Sequence, residues 1–246
     1  MGETWIGSSG DDNKKAEKTR PGFLRKKRWE SWYMEGNDGD DRLFGGEKAD
    51  ELFGNDGDDS LFGGDGNDTI DGGAGDDYLL GYGLGNDVFY GGSGDDYIDA
   101  AGTEDNILFG GDGDDYLIAS NNSDLYGGNG NDALFASGGG NDMWGNSGKD
   151  IFEFNRASFG IGTAINVIEL HPGEDKIDLS SVDANVFLDG NQKLNFIGSA
   201  PFSYSLGEVR YEPDKNLIQI SVPEDGEFTI RSWVDFDSLS ESDFIL

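Results

Sequence analysis

The sequence predicts an all-β fold, a right-handed parallel β-solenoid followed by a C-terminal antiparallel β cap, and three observations support this prediction. First, a nine-residue unit G-G-x-G-x-D-x-U-x, in which U is a large apolar residue, recurs from Gly36 to about Phe154; a fixed period is a stronger guide to the fold than local propensity. Second, glycines permit turns with positive φ, and x-U-x is a short strand with one inward side chain. Third, apolar and polar residues alternate after Phe154, which is typical of β-strands.

The repeat is clearest at Gly63–Asp71, Gly91–Asp99 and Gly110–Ile118, and successive units are nine residues apart with occasional steps of eight or ten. The aspartates expected at the sixth position of the units are Asp41, Asp50, Asp59, Asp68, Asp77, Asp87, Asp96, Asp105, Asp115, Asp124, Asp132, Asp142 and Asp150. The apolar residues expected to point inward are Leu43, Leu52, Leu61, Ile70, Leu79, Phe89, Ile98, Ile107, Leu117, Leu125 or Tyr126, Leu134, Trp144 and Phe152. The unit of Asp50 has lost its fourth-place glycine, and the units of Asp105 and Asp124 lack the leading glycine pair.

Burial of apolar side chains alone does not stabilise such a unit. One buried apolar residue contributes about 1.5–3 kcal/mol, whereas fixing the backbone of each residue in the unit costs about 1–2 kcal/mol. Charge increases the deficit, because residues 36–154 contain 28 Asp or Glu and only Arg42, Lys48 and Lys149 as basic residues. Stacked turns bring like charges close together and disfavour compaction. The sequence therefore predicts a bound cation.

Calcium is the cation that best fits these residues, because it accepts six to eight oxygens from carboxylates and carbonyls in flexible geometry, whereas magnesium requires a tighter octahedron. The chain has no cysteine and one histidine, His171, which argues against an array of zinc or copper sites. The alternative is a disordered acidic tract. It accounts for the charge but not for the apolar residue that follows nearly every aspartate by two places.

These repeats resemble the repeats-in-toxin (RTX) family, whose members form a parallel β-roll in which two nonapeptides make one coil and calcium ions lie between turns on the same edge. The resemblance implies several calcium ions, with turn carbonyls and the sixth-position aspartates as ligands. It assigns this role to the aspartates named above and, among the glycines, to Gly64, Gly66, Gly73, Gly75, Gly92, Gly94, Gly111, Gly113, Gly128 and Gly130.

The composition argues against nucleic acid and membranes as partners. The formal net charge of −33 argues against nucleic acid and anionic membranes as partners of the bulk surface, and no apolar run approaches the ~20 residues that span a bilayer. We divide the chain into residues 1–35, a calcium-binding array at 36–154 and a β cap at 155–246.

Residues 1–35 support an alternative function. A stretch around Ile6–Asn13 resembles one isolated repeat, and a basic segment follows it. Lys26, Lys27 and Arg28 precede Trp29 and Trp32, a combination that suits an anionic polysaccharide such as alginate. The competing interpretation is an insertion or cap at the open end of the solenoid.

The C-terminal part resembles the last domain of serralysin-type metalloproteases and the caps of mannuronan epimerase R-modules, through His171–Ser180, Phe196–Ser203 and Gly207–Tyr211. The ending Ser242–Leu246 is similar to that of proteins exported by type I secretion. The resemblance implies the type I secretion machinery as a partner and an extracellular location. The first thirty residues lack the apolar core of a secretory signal peptide.

The motifs of familiar catalytic sites are missing from the sequence. One histidine cannot form H-E-x-x-H, and no serine lies in G-x-S-x-G. A stand-alone enzyme would therefore need an unfamiliar mechanism. We expect a non-catalytic calcium-binding module that folds outside the cell and supports the secretion and stability of a secreted protein, such as a protease, lipase, lyase or epimerase.

Overall fold

The structure is a computed structural model that describes residues 3–15, 31–100, 102, 105–155, 158, 165–182, 193–203, 205, 207–222, 226–233 and 239–246. Short 3₁₀ helices cover Pro213–Lys215 and Glu241–Asp243. The strands in chain order are β1 Glu3–Ile6, β2 Asn13–Lys15, β3 Trp32–Asp38, β4 Arg42–Phe44, β5 Glu51–Asp56, β6 Ser60–Phe62, β7 Thr69–Ala74, β8 Tyr78–Leu80, β9 Val88–Ser93, β10 Tyr97–Ala100, β11 Ile107–Asp112, β12 Tyr116–Ala119, β13 Asp124–Asn129, β14 Ala133–Ala136, β15 Asp142–Ser147, β16 Ile151–Asn155, β17 Asn166–Glu169, β18 Lys176–Ser181, β19 Asn195–Phe196, β20 Glu208–Glu212, β21 Leu217–Val222, β22 Gly226–Ser232 and β23 Phe244–Ile245.

Successive strands alternate between two sheets. The odd-numbered strands from β1 to β17 lie side by side in the first sheet, and the even-numbered strands from β2 to β18 lie in the second sheet. Each strand pairs in parallel with the strand two places further on, so that Ile98 lies opposite Leu117 and Leu108 lies opposite Leu125. One coil therefore contains two nonapeptide units, and the prediction of a parallel β-solenoid is confirmed.

The core between the sheets is one side chain deep on each side. In the middle of the array it contains Ile98 and Leu117 from the second sheet and Leu108 and Leu125 from the first, all fully buried. Two predictions of inward residues are wrong. Leu108 and Met143 are buried in place of the partly exposed Ile107 and Trp144, because the repeat frame at these strands differs by one residue from the predicted frame, one place later at Leu108 and one place earlier at Met143.

The isolated repeat near the N-terminus is part of the solenoid. Strand β1 pairs in parallel with β3, and β2 pairs in parallel with β4. The backbone N–H of Asp12 donates to Oδ1 of Asp41 at 2.5 Å, which is the relationship found between later coils. The parallel pairing therefore begins before residue 36.

The C-terminal part continues both sheets and then changes direction. Strands β17 and β18 add in parallel to β15 and β16. Strands β20, β21 and β22 form an antiparallel meander, as predicted for the cap, and β22 pairs with β17 in parallel. The meander therefore covers the last coil of the first sheet, and β23 covers β18 in the second.

Candidate metal centres in the turns

The turns of the solenoid form two edges, each with a row of buried polar side chains. Turns that lead from the first sheet to the second form the acidic edge, whose buried row within the repeat array is Asp41, Asp59, Asp77, Asp96, Asp115, Asp132 and Asp150. Turns that lead back form the mixed edge, whose buried row is Asp50, Asp68, Asp87, Asn106, Ser123, Asn141 and Asn166.

One carboxylate oxygen of each aspartate on the acidic edge is used for coil stacking. The backbone N–H of Asp77 donates to Oδ1 of Asp96 at 2.8 Å, and the N–H of Asp96 donates to Oδ1 of Asp115 at 2.9 Å. The same bond joins Asp115 to Asp132 and Asp132 to Asp150. A carboxylate bonded in this way fixes the position of the next coil.

The other carboxylate oxygen is buried without a hydrogen-bond partner. This holds for Oδ2 of Asp41, Asp59, Asp68, Asp77, Asp87, Asp96, Asp115, Asp132 and Asp150. Each of these side chains is at most 3% exposed. An ionised oxygen in such a place loses its hydration without compensation, which is costly. Nine buried carboxylate oxygens that all lack a hydrogen-bond partner indicate that these turns bind a ligand.

Burial raises the pKa of these carboxyl groups. It raises the pKa of Asp77 and Asp115 to about 8 and that of Asp68 and Asp96 to about 7. The backbone hydrogen bond to each carboxylate opposes the shift, whereas acidic neighbours add to it. Desolvation and like charge both disfavour the ionised form. A bound cation would reverse this preference.

The predicted turn glycines leave room for backbone alone. Gly111 and Gly113 have φ of 129° and 137°, values that side-chain-bearing residues rarely adopt. A Cβ on either residue would collide with the carbonyl oxygen of Gly92 or Gly94 in the preceding coil. A Cβ on Gly110 would collide with Oδ2 of Asp115. Backbone carbonyls and carboxylate oxygens are therefore packed together at the edge.

This donor set fits calcium. The groups at the acidic edge are carboxylate and carbonyl oxygens, the ligands of a hard cation, and each turn offers one unpartnered oxygen of full or partial negative charge. Within the described ranges no three His, Cys, Asp or Glu side chains converge on one point. The acids form rows instead, so carbonyl oxygens must supply much of any coordination shell.

Ten of the thirteen aspartates predicted at the sixth position lie in the buried rows and three do not, while their role as calcium ligands stays a prediction. Among the predicted sixth-position aspartates, all those of the acidic edge are in its buried row, and Asp50, Asp68 and Asp87 are in the row of the mixed edge. The sixth-position assignment of Asp105, Asp124 and Asp142 is wrong. Asn106, Ser123 and Asn141 fill the buried places, while Asp105 is exposed and Asp124 and Asp142 are half-buried. The units there are displaced by one residue.

The acidic row extends to two aspartates that the repeat pattern did not include. Oδ1 of Asp175 accepts from the N–H of Asp150 at 3.2 Å, and its Oδ2 accepts from the N–H of His171 at 2.8 Å. Oδ2 of Asp12 accepts from the N–H of Ser8 at 2.7 Å. Both oxygens of Asp175 thus accept from backbone N–H groups, and Oδ2 of Asp12 accepts from Ser8. The repeat-like Ile6–Asn13 indicated Asp12, whereas no repeat marked Asp175.

The structure describes one of the five residues predicted to contact polysaccharide, Trp32. Lys26, Lys27, Arg28 and Trp29 lie outside the described residues. Trp32 begins β3, is partly buried against the core, and has Nζ of Lys14 at 5.2 Å from its ring centroid. The assignment of these residues stays a prediction.

Aromatic residues form columns on the outer faces of both sheets. Tyr78, Tyr97 and Tyr116, which recur every nineteen residues, form a column along the second sheet with centroid separations of 5.0 and 5.6 Å. On the first sheet Tyr126 and Trp144 stack at 4.5 Å with an interplanar angle of 4°. Because rings of successive coils contact one another, these columns stabilise coil stacking.

A family model matches the repeat array. The family model of the RTX calcium-binding nonapeptide repeat, in four copies, matches residues 35–70, 53–83, 83–102, 100–126 and 120–152. No curated protein matches the chain. The solution structure of the AlgE6R3 subunit from the Azotobacter vinelandii mannuronan C5-epimerase is similar at 22% identity and a TM-score of 0.32, over 62% of this chain and 78% of that one. Among the described residues, no helix is long and apolar enough to cross a bilayer. Residues 35–152 are therefore an array of RTX calcium-binding nonapeptide repeats, which bind multiple calcium ions.

Proposed function

We propose that the chain is a non-catalytic folding module of a secreted protein, whose repeat array becomes compact when calcium is available outside the cell. The observation that carries this proposal is the set of nine buried Oδ2 atoms without a hydrogen-bond partner. Such a site is unfavourable when it is empty and ionised, and favourable when a cation neutralises it. Folding and ion uptake are therefore coupled.

The residues that would hold the ions are the buried aspartates, for example Asp96 and Asp115, together with carbonyl oxygens of the adjoining glycine turns. The ion supplies positive charge and a flexible coordination shell. The chain supplies the rest: Oδ1 of each aspartate fixes the next coil, and the turn glycines admit close carbonyls. A ligand that binds only the folded state stabilises it by RT ln(1 + [L]/Kd) for each site.

The calcium concentration on each side of the cell membrane decides where the array folds. An array with many sites stays unfolded where calcium is scarce and folds where it is plentiful. RTX repeats are typical of secreted proteins, which agrees with an extracellular location. We propose that the chain leaves the cell in its unfolded form and acquires its fold outside.

The C-terminal ending supports export before folding. Asp243 and Phe244 are buried, and β23 pairs with β18 in the second sheet. Residues placed in this way are covered once the cap has formed. The type I secretion machinery would therefore recognise them in the unfolded chain, and calcium-driven folding outside would follow recognition.

The proposal is tested with metal-free protein and added calcium. We expect far-UV circular dichroism to show little β-structure after thorough removal of metal, and a cooperative gain during a calcium titration that magnesium does not reproduce. Calorimetry should show several ions bound per chain. A compact β-fold in metal-free buffer near neutral pH, or no calcium uptake, would contradict the proposal.

The second candidate is binding of an anionic polysaccharide such as alginate. It is supported by the basic segment and by Lys14 above the ring of Trp32. We expect salt-sensitive retardation on polyuronate gels that weakens when Lys26, Lys27 and Arg28 are replaced by Gln. A chain that folds with calcium but passes such gels unretarded would exclude this candidate while the first stands.

A further inference from the structure

The two edges of the array differ in how many buried oxygens lack a partner. On the acidic edge, seven aspartates from Asp41 to Asp150 each have an unpartnered Oδ2. On the mixed edge only Asp68 and Asp87 do. Asp50 is satisfied by the protein, because its two oxygens accept from the N–H groups of Trp32 and Gly46 at 2.6 and 2.5 Å.

Beyond Asp87 the row of the mixed edge consists of neutral side chains that continue the same stacking bonds. The N–H of Asp87 donates to Oδ1 of Asn106 at 2.9 Å, and the N–H of Asn106 donates to Oγ of Ser123 at 3.2 Å. The N–H of Ser123 donates to Oδ1 of Asn141 at 3.0 Å, and that of Asn141 donates to Oδ1 of Asn166 at 2.9 Å. Coil registration is therefore kept without a carboxylate.

These neutral side chains also supply donors to the turn carbonyls. Nδ2 of Asn141 donates to the carbonyl oxygen of Gly138 at 2.9 Å, and Nδ2 of Asn166 donates to that of Ser158 at 3.1 Å. Oγ of Ser123 donates to the carbonyl of Asn121 at 3.2 Å. An ionised aspartate has acceptors only, whereas asparagine has an acceptor and two donors. The amide oxygen thus accepts the stacking N–H, and the amide nitrogen donates to the turn carbonyl. A carboxylate can accept the first bond, but it needs a cation between itself and the carbonyl to replace the second.

We propose that calcium uptake in the C-terminal half of the array is one-sided. The acidic edge takes up ions along its whole length, whereas the mixed edge takes them up only at the turns of Asp68 and Asp87. From Asn106 to Asn166 the mixed edge is closed by hydrogen bonds alone. This inference rests on the proposed calcium-dependent folding, and it assigns the ions to particular turns.

One-sided loading has a structural consequence. The coils nearest the cap have one edge that needs no ion, so removing calcium disturbs only one of their two edges. The N-terminal half has unpartnered carboxylates on both edges. We therefore expect the coils after β11 to be the last part of the array to open when calcium is lowered.

Two single substitutions in successive repeat units test the inference. Asp115→Asn removes an unpartnered buried carboxylate of the acidic edge, and Asp124→Asn removes an acid that lies beside the neutral row of the mixed edge. Bound calcium is counted by equilibrium dialysis with elemental analysis. We expect Asp115→Asn to bind fewer ions than the unaltered chain, and Asp124→Asn to bind the same number. An equal loss in both variants would overturn the inference.

A gain-of-site variant covers the case in which Asp115→Asn fails to fold. Asn141→Asp restores a carboxylate in the neutral row and removes the donor to Gly138. We expect it to bind more calcium than the unaltered chain. It should also require a higher calcium concentration for half-maximal folding by circular dichroism. Unchanged binding and an unchanged midpoint would contradict the inference. An unaltered chain that binds no calcium would instead refute the proposed function.

Discussion

The backbone N–H of Asp96 donates to Oδ1 of Asp115, one coil further along the acidic edge, and Oδ2 of Asp115 is left buried without a hydrogen-bond partner. The two oxygens of one carboxylate thus have separate roles. One accepts the hydrogen bond that sets the register between successive coils. The other makes the stack unfavourable until its charge is neutralised.

The raised pKa values give a prediction for the metal-free chain. The pKa of Asp77 and of Asp115 is about 8 in the fold and 3.8 in the reference state. A group with a raised folded pKa contributes stability that is fully present below the unfolded pKa and is lost as pH rises through the folded pKa. Between about pH 8 and about pH 5, acidification should therefore increase the compact fraction of metal-free protein. Circular dichroism and size-exclusion chromatography measure this.

A matched pair of variants separates buried acids from general charge. Asp77→Asn with Asp115→Asn removes two buried groups, and Asp76→Asn with Asp95→Asn removes two exposed acids on the same edge. The first pair should flatten the pH dependence more than the second. Equal flattening would attribute the effect to net charge alone.

Glycine 113 provides a prediction about turn geometry. Gly113→Ala places a Cβ at φ of 137° and against the carbonyl of Gly94. Gly10→Ala is a useful control, because Gly10 has φ of 135° with nothing within 4 Å of its Cβ position. Backbone strain of this kind costs about 1–3 kcal/mol, so both variants should lose stability in calcium. Gly113→Ala should lose clearly more, as measured by urea denaturation, because it alone adds a clash.

The period of nine residues predicted most of the array. It placed Leu117 and Asp115 correctly because both follow an unbroken G-G-x-G turn. It failed where the turn lacks that pattern, because the step from Asp96 to Asn106 is one residue longer than nine and the step from Asp115 to Ser123 is one residue shorter. Asn106 and Ser123 took the places expected for Asp105 and Asp124. The signal was present in the sequence, because the units of Asp105 and Asp124 lack their leading glycine pair.

The ends of the solenoid were less predictable than its middle. The alternation of Ile218 and Ile220 correctly indicated a strand of the antiparallel meander. That Asp175 ends the acidic row could not be foreseen, because twenty-five residues separate it from Asp150. Only the pairing of β16 with β18 brings the two together. Such a relationship depends on tertiary structure, and it produces no repeat in the sequence.

Substitution of Leu117 tests how much the thin core contributes to the free energy of unfolding. Its side chain is fully buried between the sheets, whereas Ile118 points to the outer face of the second sheet and is half-buried. Leu117→Ala should lower the free energy of unfolding by about 2–5 kcal/mol, measured by urea denaturation in saturating calcium. Ile118→Ala should cost clearly less. Equal costs would mean that inward packing contributes little beyond what the ions and the backbone provide.

Trp233 is one of the contacts between the cap and the array. Its backbone N–H donates to the carbonyl of Ile168 at 2.8 Å, and its ring stacks on Trp144 at 6.3 Å with an interplanar angle of 10°. An aromatic pair of this kind contributes about 0.5–1.5 kcal/mol beyond burial. We therefore expect Trp233→Ala to lower the midpoint of thermal unfolding in calcium and to weaken the near-UV circular dichroism, while Trp233→Phe keeps most of both.

Trp144 also stacks on Tyr126, so single substitutions cannot isolate its contact with Trp233. A double-mutant cycle of Trp144→Ala and Trp233→Ala separates the two, because only a direct contact gives a coupling free energy. We expect coupling near the value of a stacked pair, about 0.5–1.5 kcal/mol. Additive effects would show that the cap is held on the last coil by its strand pairing, the hydrogen bonds between β17 and β22, and not by the aromatic column.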